Sequence, residues 1–244
     1  MITQREDLVA GHRVMRIEED GSFRGCLLLD GPLVDGGSGI SLDLGALEGL
    51  IGDGWSSIAS PRQVHGDRIL AFHHDLPMDP APEADGVMIS CRGAVGAMRY
   101  ADCVPVLLGV RSEPLIVGLH SGYSGTVLGI CERALDAMEG TVTDWSSVWA
   151  WVGPSVCGGC YSRRVHDPAT ARGMRELHSS RWRVEGDLVY FDIKGAVADQ
   201  LRSRIPASNV MVSPLCTFED PSLPSFRRDR TARRMVLLFG LPKV

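Results

Sequence analysis

Two uninterrupted apolar runs, Val104-Pro105-Val106-Leu107-Leu108-Gly109-Val110 and Leu115-Ile116-Val117-Gly118-Leu119, restrict the fold of this chain more than any other feature. Neither alternates polar with apolar residues, so neither suits a sheet with one wet face; both read as buried strands. The polar turn Arg111-Ser112-Glu113-Pro114 between them is short enough to make the pair a hairpin. From Thr126 to Met138 the period changes, and Val127, Leu128, Cys131, Ala134, Leu135 and Met138 fall on one helical face. Gly122 and Gly125 stand in the turn that leads from strand to helix.

Around this centre the chain reads as a mixture. Val148 to Val152 is another apolar strand. Asp167-Pro168 is an N-cap and first-turn pair opening a helix to about Leu177. Asp192 to about Leu201 fits a second helix, with Ile193, Val197 and Leu201 on one side. Val210 to Val212 and Met235 to Phe239 read as strands. The N-terminal third contains Gly31, Gly36, Gly37, Gly39, Gly45, Gly49, Gly52 and Gly54, and predicts short strands and turns. Asp75 to Glu83 holds three prolines and predicts a loop. With no repeat or long linker, the expectation is one domain over residues 1–244. Hairpins interspersed with helices predict an α+β or mixed α/β fold rather than a purely parallel doubly wound sheet.

Charge and cysteine usage narrow the function classes. A net charge of −5 argues against a nucleic-acid surface, and the arginine-rich stretch from Arg227 to Arg234 is too short and mixed to reverse that. No segment reaches the roughly 18 apolar residues needed to span a bilayer. Met1 to Asp7 carries acidic residues and lacks the apolar core of a secretory signal. The seven cysteines are odd in number and scattered, which fits reduced thiols in a cytoplasm better than a disulfide framework.

Three segments place a metal-ligating residue beside a turn: Gln63-Val64-His65-Gly66, Ala101-Asp102-Cys103-Val104 and His120-Ser121-Gly122-Tyr123. Cys103 precedes one strand of the hairpin and His120 ends the other, so the hairpin brings them together. Two imidazoles and a thiolate suit zinc, and three protein ligands leave a fourth position for water or substrate. Spacing alone leaves open that each is a packed or solvated side chain.

Further motifs in the same order carry a family resemblance. They are Ala84-Asp85-Gly86, Val104-Pro105-Val106-Leu107-Leu108, Ser124-Gly125-Thr126, Gly153-Pro154-Ser155 and Ser225-Phe226-Arg227-Arg228-Asp229. From about residue 60 onward the chain resembles the YfiH family, also called laccase-domain or polyphenol oxidoreductase proteins. The resemblance implies a layered mixed α/β sandwich and a zinc ion held by His65, Cys103 and His120. It implies purine nucleoside phosphorylase activity on adenosine, inosine or methylthioadenosine, with adenosine deamination, or alternatively the editing of peptidoglycan precursors. Copper oxidation is rejected, because a mononuclear and a trinuclear copper centre call for more imidazoles than the seven histidines here.

The chain departs from the family where substrate would bind. The family's His-Ala-Gly-Trp-Arg-Gly is here His120-Ser121-Gly122-Tyr123-Ser124-Gly125, so Tyr123 keeps an aromatic face while Ser124 offers no guanidinium. The N-terminal region is shortened, with Gly36-Gly37-Ser38 and Leu42-Asp43-Leu44 as faint echoes of family motifs. Asp102 is expected as a proton-transfer or orienting group beside Cys103, with Asp85, Gln63, Tyr123, Arg227 and Arg228 as substrate-binding candidates. Two other readings stay open: a metal-free Cys103–His120 hydrolase or deamidase, and a degenerate binding protein. Cys157-Gly158-Gly159-Cys160 has the spacing of half a zinc ribbon or a redox pair, but with no second Cys-x-x-Cys it is expected to be a structural turn. The expected partners are nucleoside and phosphate, with a monomer favoured.

Overall fold

Three strands, β1 (Ile2–Val9), β2 (His12–Glu19) and β3 (Ser22–Leu28), open the computed structural model, which describes residues 1–20, 22–29 and 44–243. Helix α1 (Leu44–Ile51) follows, then β4 (Ser57–Ala59), β5 (Ile69–Phe72), β6 (Gly86–Ile89) and β7 (Ala94–Tyr100). The central hairpin is β8 (Val104–Val110) and β9 (Ile116–Ser121), followed by helices α2 (Tyr123–Val127) and α3 (Ile130–Met138). Next come β10 (Val148–Val152), β11 (Ser162–Arg164), α4 (Pro168–Glu176), β12 (Trp182–Glu185) and β13 (Leu188–Phe191). The chain closes with α5 (Ile193–Arg202), β14 (Val210–Val212), α6 (Phe226–Asp229) and β15 (Met235–Leu241).

These strands form three sheets, in the orders β1-β2-β3-β15-β7-β4, β14-β10-β8-β9-β6-β5 and β11-β13-β12. The first two are mixed: β4 pairs parallel with β7, β5 with β6 and β14 with β10, while the remaining pairings are antiparallel. The large sheets face each other. Leu107, Trp149 and Trp151 of the second sheet pack against Met98, Leu237 and Phe239 of the first. The alternate residues Val106, Leu108, Val148 and Ala150 point the other way, onto Leu135 of α3 and Val197 of α5. On the far side of the first sheet, Val14, Leu28 and Val236 are covered by Leu47 and Leu50 of α1. The order of layers is therefore helix, sheet, sheet, helices, and β8 is apolar at every position because it is covered on both faces. Each fully buried Val or Leu there contributes about 1.5–3 kcal/mol of transfer free energy.

The mixed α/β expectation is met by this architecture. The predicted helix starts at Asp167 and Asp192 are present as well, with Asp167 accepting from the Ala169 amide at 2.8 Å and Asp192 from that of Gly195 at 3.0 Å. The helix expected from Thr126 to Met138 is instead two. The first begins earlier, at Tyr123, and Gly129 then takes a left-handed φ of 78° that breaks the backbone before α3. Strands β1 and β2, at eight residues each, are longer than the glycine-rich composition suggests. Gly31, Gly39, Gly36-Gly37-Ser38 and Leu42-Asp43 lie outside the described residues. Among the described residues, no helix is long and apolar enough to cross a membrane.

Candidate metal centre

Register in the central hairpin places the first two ligating groups. Val104 lies opposite Ser121 and Pro105 opposite His120, so Cys103, one residue before β8, meets the end of β9. His65 arrives from the loop between β4 and β5, with a left-handed φ of 61°. The ligating atoms of His65, Cys103 and His120 all lie within 4.8 Å of one another. Gly122 makes the room: a Cβ there would come 3.0 Å from Cys103 Sγ and 3.2 Å from His65 Cδ2.

One buried carboxylate organises all of this. Asp85, fully buried just before β6, accepts from the His120 Nδ1 side at 2.7 Å. It also accepts the backbone amides of Val64, His65 and Gly66 at 3.1, 3.0 and 2.7 Å. The first bond orients the His120 ring and leaves Nε2 for a metal, while the other three hold the His65 loop. Burial opposes ionisation of Asp85, but hydrogen bonding and charge from His120, with the Gly66 and Val64 amides, more than offset it and hold its pKa below the usual carboxylate value.

Cys103 and His120 shift each other strongly. Burial disfavours the Cys103 thiolate, yet charge and hydrogen bonding from His120 and then His65 bring the thiol down to about 6. Burial likewise disfavours the His120 imidazolium, and Cys103 and Asp85 together raise it to about 9. A site that favours thiolate at neutral pH supplies the form of cysteine that binds metal or attacks carbon.

The centre opens into a cavity of about 230 Å³ whose lining includes His65, Cys103, Tyr123, Ser124, Tyr161 and Arg163. Tyr123 donates to the Ala169 carbonyl at 2.7 Å and stacks on Tyr161 with ring centroids 5.8 Å apart. Arg163 lies with its guanidinium carbon 4.4 Å from the Tyr123 ring centroid and is anchored on Asp167 Oδ2 at 2.5 Å. The chain thus brings a guanidinium to the cavity that Ser124 is too short to provide.

The remaining candidates divide. Asp102, at a left-handed φ of 79°, lines the cavity, but its carboxylate is engaged by the Thr217 hydroxyl at 2.8 Å and the Arg227 amide at 2.6 Å. That geometry orients the Cys103 loop and α6. Arg227 projects over Tyr161, 4.4 Å from its centroid, beside the cavity. Two candidates are placed away from it. The Gln63 amide forms a pair of bonds with the Arg99 backbone, at 2.8 and 2.9 Å, which fixes the His65 loop to β7. Arg228 donates to the carbonyls of Thr217, Phe218, Asp220 and Leu223 and to Asp229, bracing a loop. Sequence reasoning missed Tyr161 and Arg163, whose Tyr-x-Arg spacing on a short polar strand has no recognisable signature. It also missed a second cluster, in which Cys157, Cys160, Cys216 and Glu219 bring their ligating atoms within 4.8 Å of one another.

Residues 47–241 match the family model for the multi-copper polyphenol oxidoreductase laccases. This chain belongs to that family. Among curated relatives it is 31% identical over 175 residues to a protein of Streptomyces coelicolor named purine nucleoside phosphorylase, covering 71% of this chain and 70% of that one. A protein of the same name from Mycobacterium tuberculosis is 32% identical over 179 residues, covering 72% and 69%. The structure of the hypothetical protein YfiH from Bacillus licheniformis superposes with a TM-score of 0.77 at 24% identity, covering 97% of this chain and 98% of that one. YlmD from Geobacillus stearothermophilus gives 0.78 at 22%, covering 99% and 100%. These two establish the layered YfiH-like fold. Among the described residues, His65 and His120 are the only histidines in a cluster of possible metal ligands.

Proposed function

We propose that this chain is a zinc-dependent purine nucleoside phosphorylase that cleaves adenosine, inosine or methylthioadenosine with phosphate. The observation that carries the reading is the convergence of His65, Cys103 and His120, oriented by Asp85, at a cavity that also holds Arg163. The name of the curated relatives, purine nucleoside phosphorylase, supports purine nucleosides and phosphate as the substrate class.

The donor set fits zinc. Two imidazoles and a thiolate are also the equatorial set of a blue-copper site, but such sites carry a weak axial ligand, commonly methionine, and no methionine lines this cavity. Three ligands facing an open cavity match the catalytic zinc pattern. A zinc ion bound there supplies a Lewis acid for a phosphate or water oxygen.

The chain's own groups account for the rest. Arg163, its guanidinium held by Asp167, Thr170 and Tyr161 and stacked on the Tyr123 ring, places a positive charge at the cavity that favours an anionic co-substrate. Tyr123 and Tyr161 give the purine and ribose an apolar wall. Asp102 acts as a positioning group, holding the Cys103 loop to Thr217 and Arg227. In the reaction a phosphate oxygen bonds to the ribose C1′, the N-glycosidic bond breaks, and the purine leaves with its electron pair and takes a proton. The free cysteines support a cytoplasmic enzyme, and we take it to act as a monomer.

The test is incubation of zinc-loaded protein with each nucleoside, with and without phosphate, following free base and ribose 1-phosphate. Phosphate-dependent release of both is expected. Absence of base release from all three nucleosides overturns the reading; release of inosine from adenosine without phosphate moves it to deamination.

One observation favours a second reading, a Cys103–His120 hydrolase or deamidase. The thiol brought to about 6 beside an imidazole raised to about 9 is a thiolate–imidazolium pair at neutral pH, a nucleophile with a proton donor beside it. Such a pair does not require His65. Loss of activity in His65→Ala together with loss of zinc favours the phosphorylase; activity retained without zinc favours the dyad.

A further inference from the structure

We propose that Cys157, Cys160, Cys216 and Glu219 form a second, structural zinc site, separate from the triad. Its ligands come from two similar loops. Cys157-Gly158-Gly159-Cys160 is a tight turn in which the amides of Cys160 and Tyr161 both donate to the Cys157 carbonyl, at 3.0 and 3.1 Å. Cys216-Thr217-Phe218-Glu219 repeats the spacing with a carboxylate in the last place, and the Asp220 amide closes that turn on the Cys216 carbonyl at 3.0 Å. Two ligands separated by two residues on each of two loops is the arrangement of a closed structural site.

The distances match a tetrahedron. Zinc–sulfur bonds of about 2.3 Å and zinc–oxygen bonds of about 2.0 Å put neighbouring ligands about 3.5–3.8 Å apart. Glu219 Oε1 lies 3.7 Å from Cys157 Sγ and 3.4 Å from Cys160 Sγ, and all four ligating atoms fall within 4.8 Å of one another. The Cys157 amide also donates to Cys216 Sγ at 3.3 Å, a bond that stabilises a thiolate.

Charge around the cluster is complementary. Three thiolates and a carboxylate on a divalent ion leave two negative charges. The buried Lys194 ammonium donates to the carbonyls of Ser213 and Leu215, at 3.1 and 2.7 Å, immediately before Cys216. Arg183 donates to the Gly158 carbonyl at 3.1 Å inside the other turn.

The position gives the site a purpose. Tyr161, next to Cys160, stacks on Tyr123 in the cavity, and Thr217, next to Cys216, holds Asp102. A metal joining the two turns ties together two segments that shape the triad's cavity while sharing no ligand with it.

The experiment is metal analysis of protein isolated under reducing conditions, with X-ray absorption to read the ligand shell. Native protein is expected to hold two zinc ions per chain. The His65→Ala/His120→Ala variant should keep one, with a shell of three sulfurs and one oxygen. Glu219→Ala should weaken that ion by more than about 10-fold, since losing even an outer-shell partner commonly does so. Glu219→Cys, which completes a four-thiolate set, should retain it. Any of three results overturns the proposal: a folded His65→Ala/His120→Ala protein isolated with no bound zinc, a Glu219→Ala protein with unchanged affinity, or a Cys157–Cys160 disulfide in the reduced preparation.

Discussion

Asp85 is the residue on which the triad depends most, because one carboxylate sets both the His120 ring and the three amides beneath His65. Asp85→Asn keeps the shape but loses the charge and an acceptor, so zinc affinity should fall about 10–100-fold, measured by competition with a chelator. The thiol makes a separate prediction in the metal-free protein. Its pKa is lowered to about 6, so the stability it contributes is present above the unfolded value and fades as pH falls through about 6. The pKa of His120 is raised to about 9, so its contribution is present below the unfolded value and fades as pH rises through about 9. Alkylation of Cys103, followed peptide by peptide, should reach half its maximal rate near pH 6 and move to higher pH in His120→Ala. Hairpin geometry made the Cys103–His120 pairing legible, and the ordered family motifs added His65. The engagement of Gln63 and Arg228 with neighbouring backbone was not legible, because side-chain type does not reveal which hydrogen bonds a neighbouring backbone takes up.

Among the elements, the β8–β9 hairpin was readable because full burial on two faces leaves an unmistakable apolar run. Strand β11, Ser162-Arg163-Arg164, carries no such run, and only its pairing with β13 makes it a strand. Arg163 was hidden for that reason. Arg163→Ala removes the positive charge beside the cavity, and should raise the KM for phosphate more than it lowers kcat for the nucleoside. Steady-state kinetics at varied phosphate checks this. A second prediction at this scale concerns the contact between the two large sheets. The Phe239 ring of β15 lies in a slot formed by Gly96 of β7 and Gly118 of β9, where a Cβ would fall 2.2 and 2.3 Å from ring carbons. Gly118→Ala must therefore push the ring or part the sheets, at about 1–3 kcal/mol for overpacking. A lowered melting temperature with an unchanged zinc content is the expected result. The break at Gly129 belongs to the same lesson: apolar period alone runs through a glycine that the backbone uses to turn.

For the whole molecule, the layers and the metal centre stand in a definite order of dependence. The core between the sheets and the core beneath α3 and α5 are closed by apolar side chains, and the triad supplies none of them. The triad instead stands where the end of β9, the start of β8 and the His65 loop meet. In small zinc domains, folding waits for metal because no other core exists. A chain of 244 residues with a core on both faces of its central sheet is not in that position. Removing zinc with a chelator should therefore abolish nucleoside phosphorolysis while the protein still unfolds in one cooperative transition, with its far-ultraviolet circular dichroism retained. Returning zinc should restore activity without a refolding step. Loss of the cooperative transition on chelation would mean that the loops, rather than the layers, hold the fold together. The same logic explains why the architecture was more legible than the chemistry. Layers are specified by many residues of one kind repeated at short spacing, whereas the centre is specified by single side chains 17 to 55 residues apart that only the finished layers bring into contact.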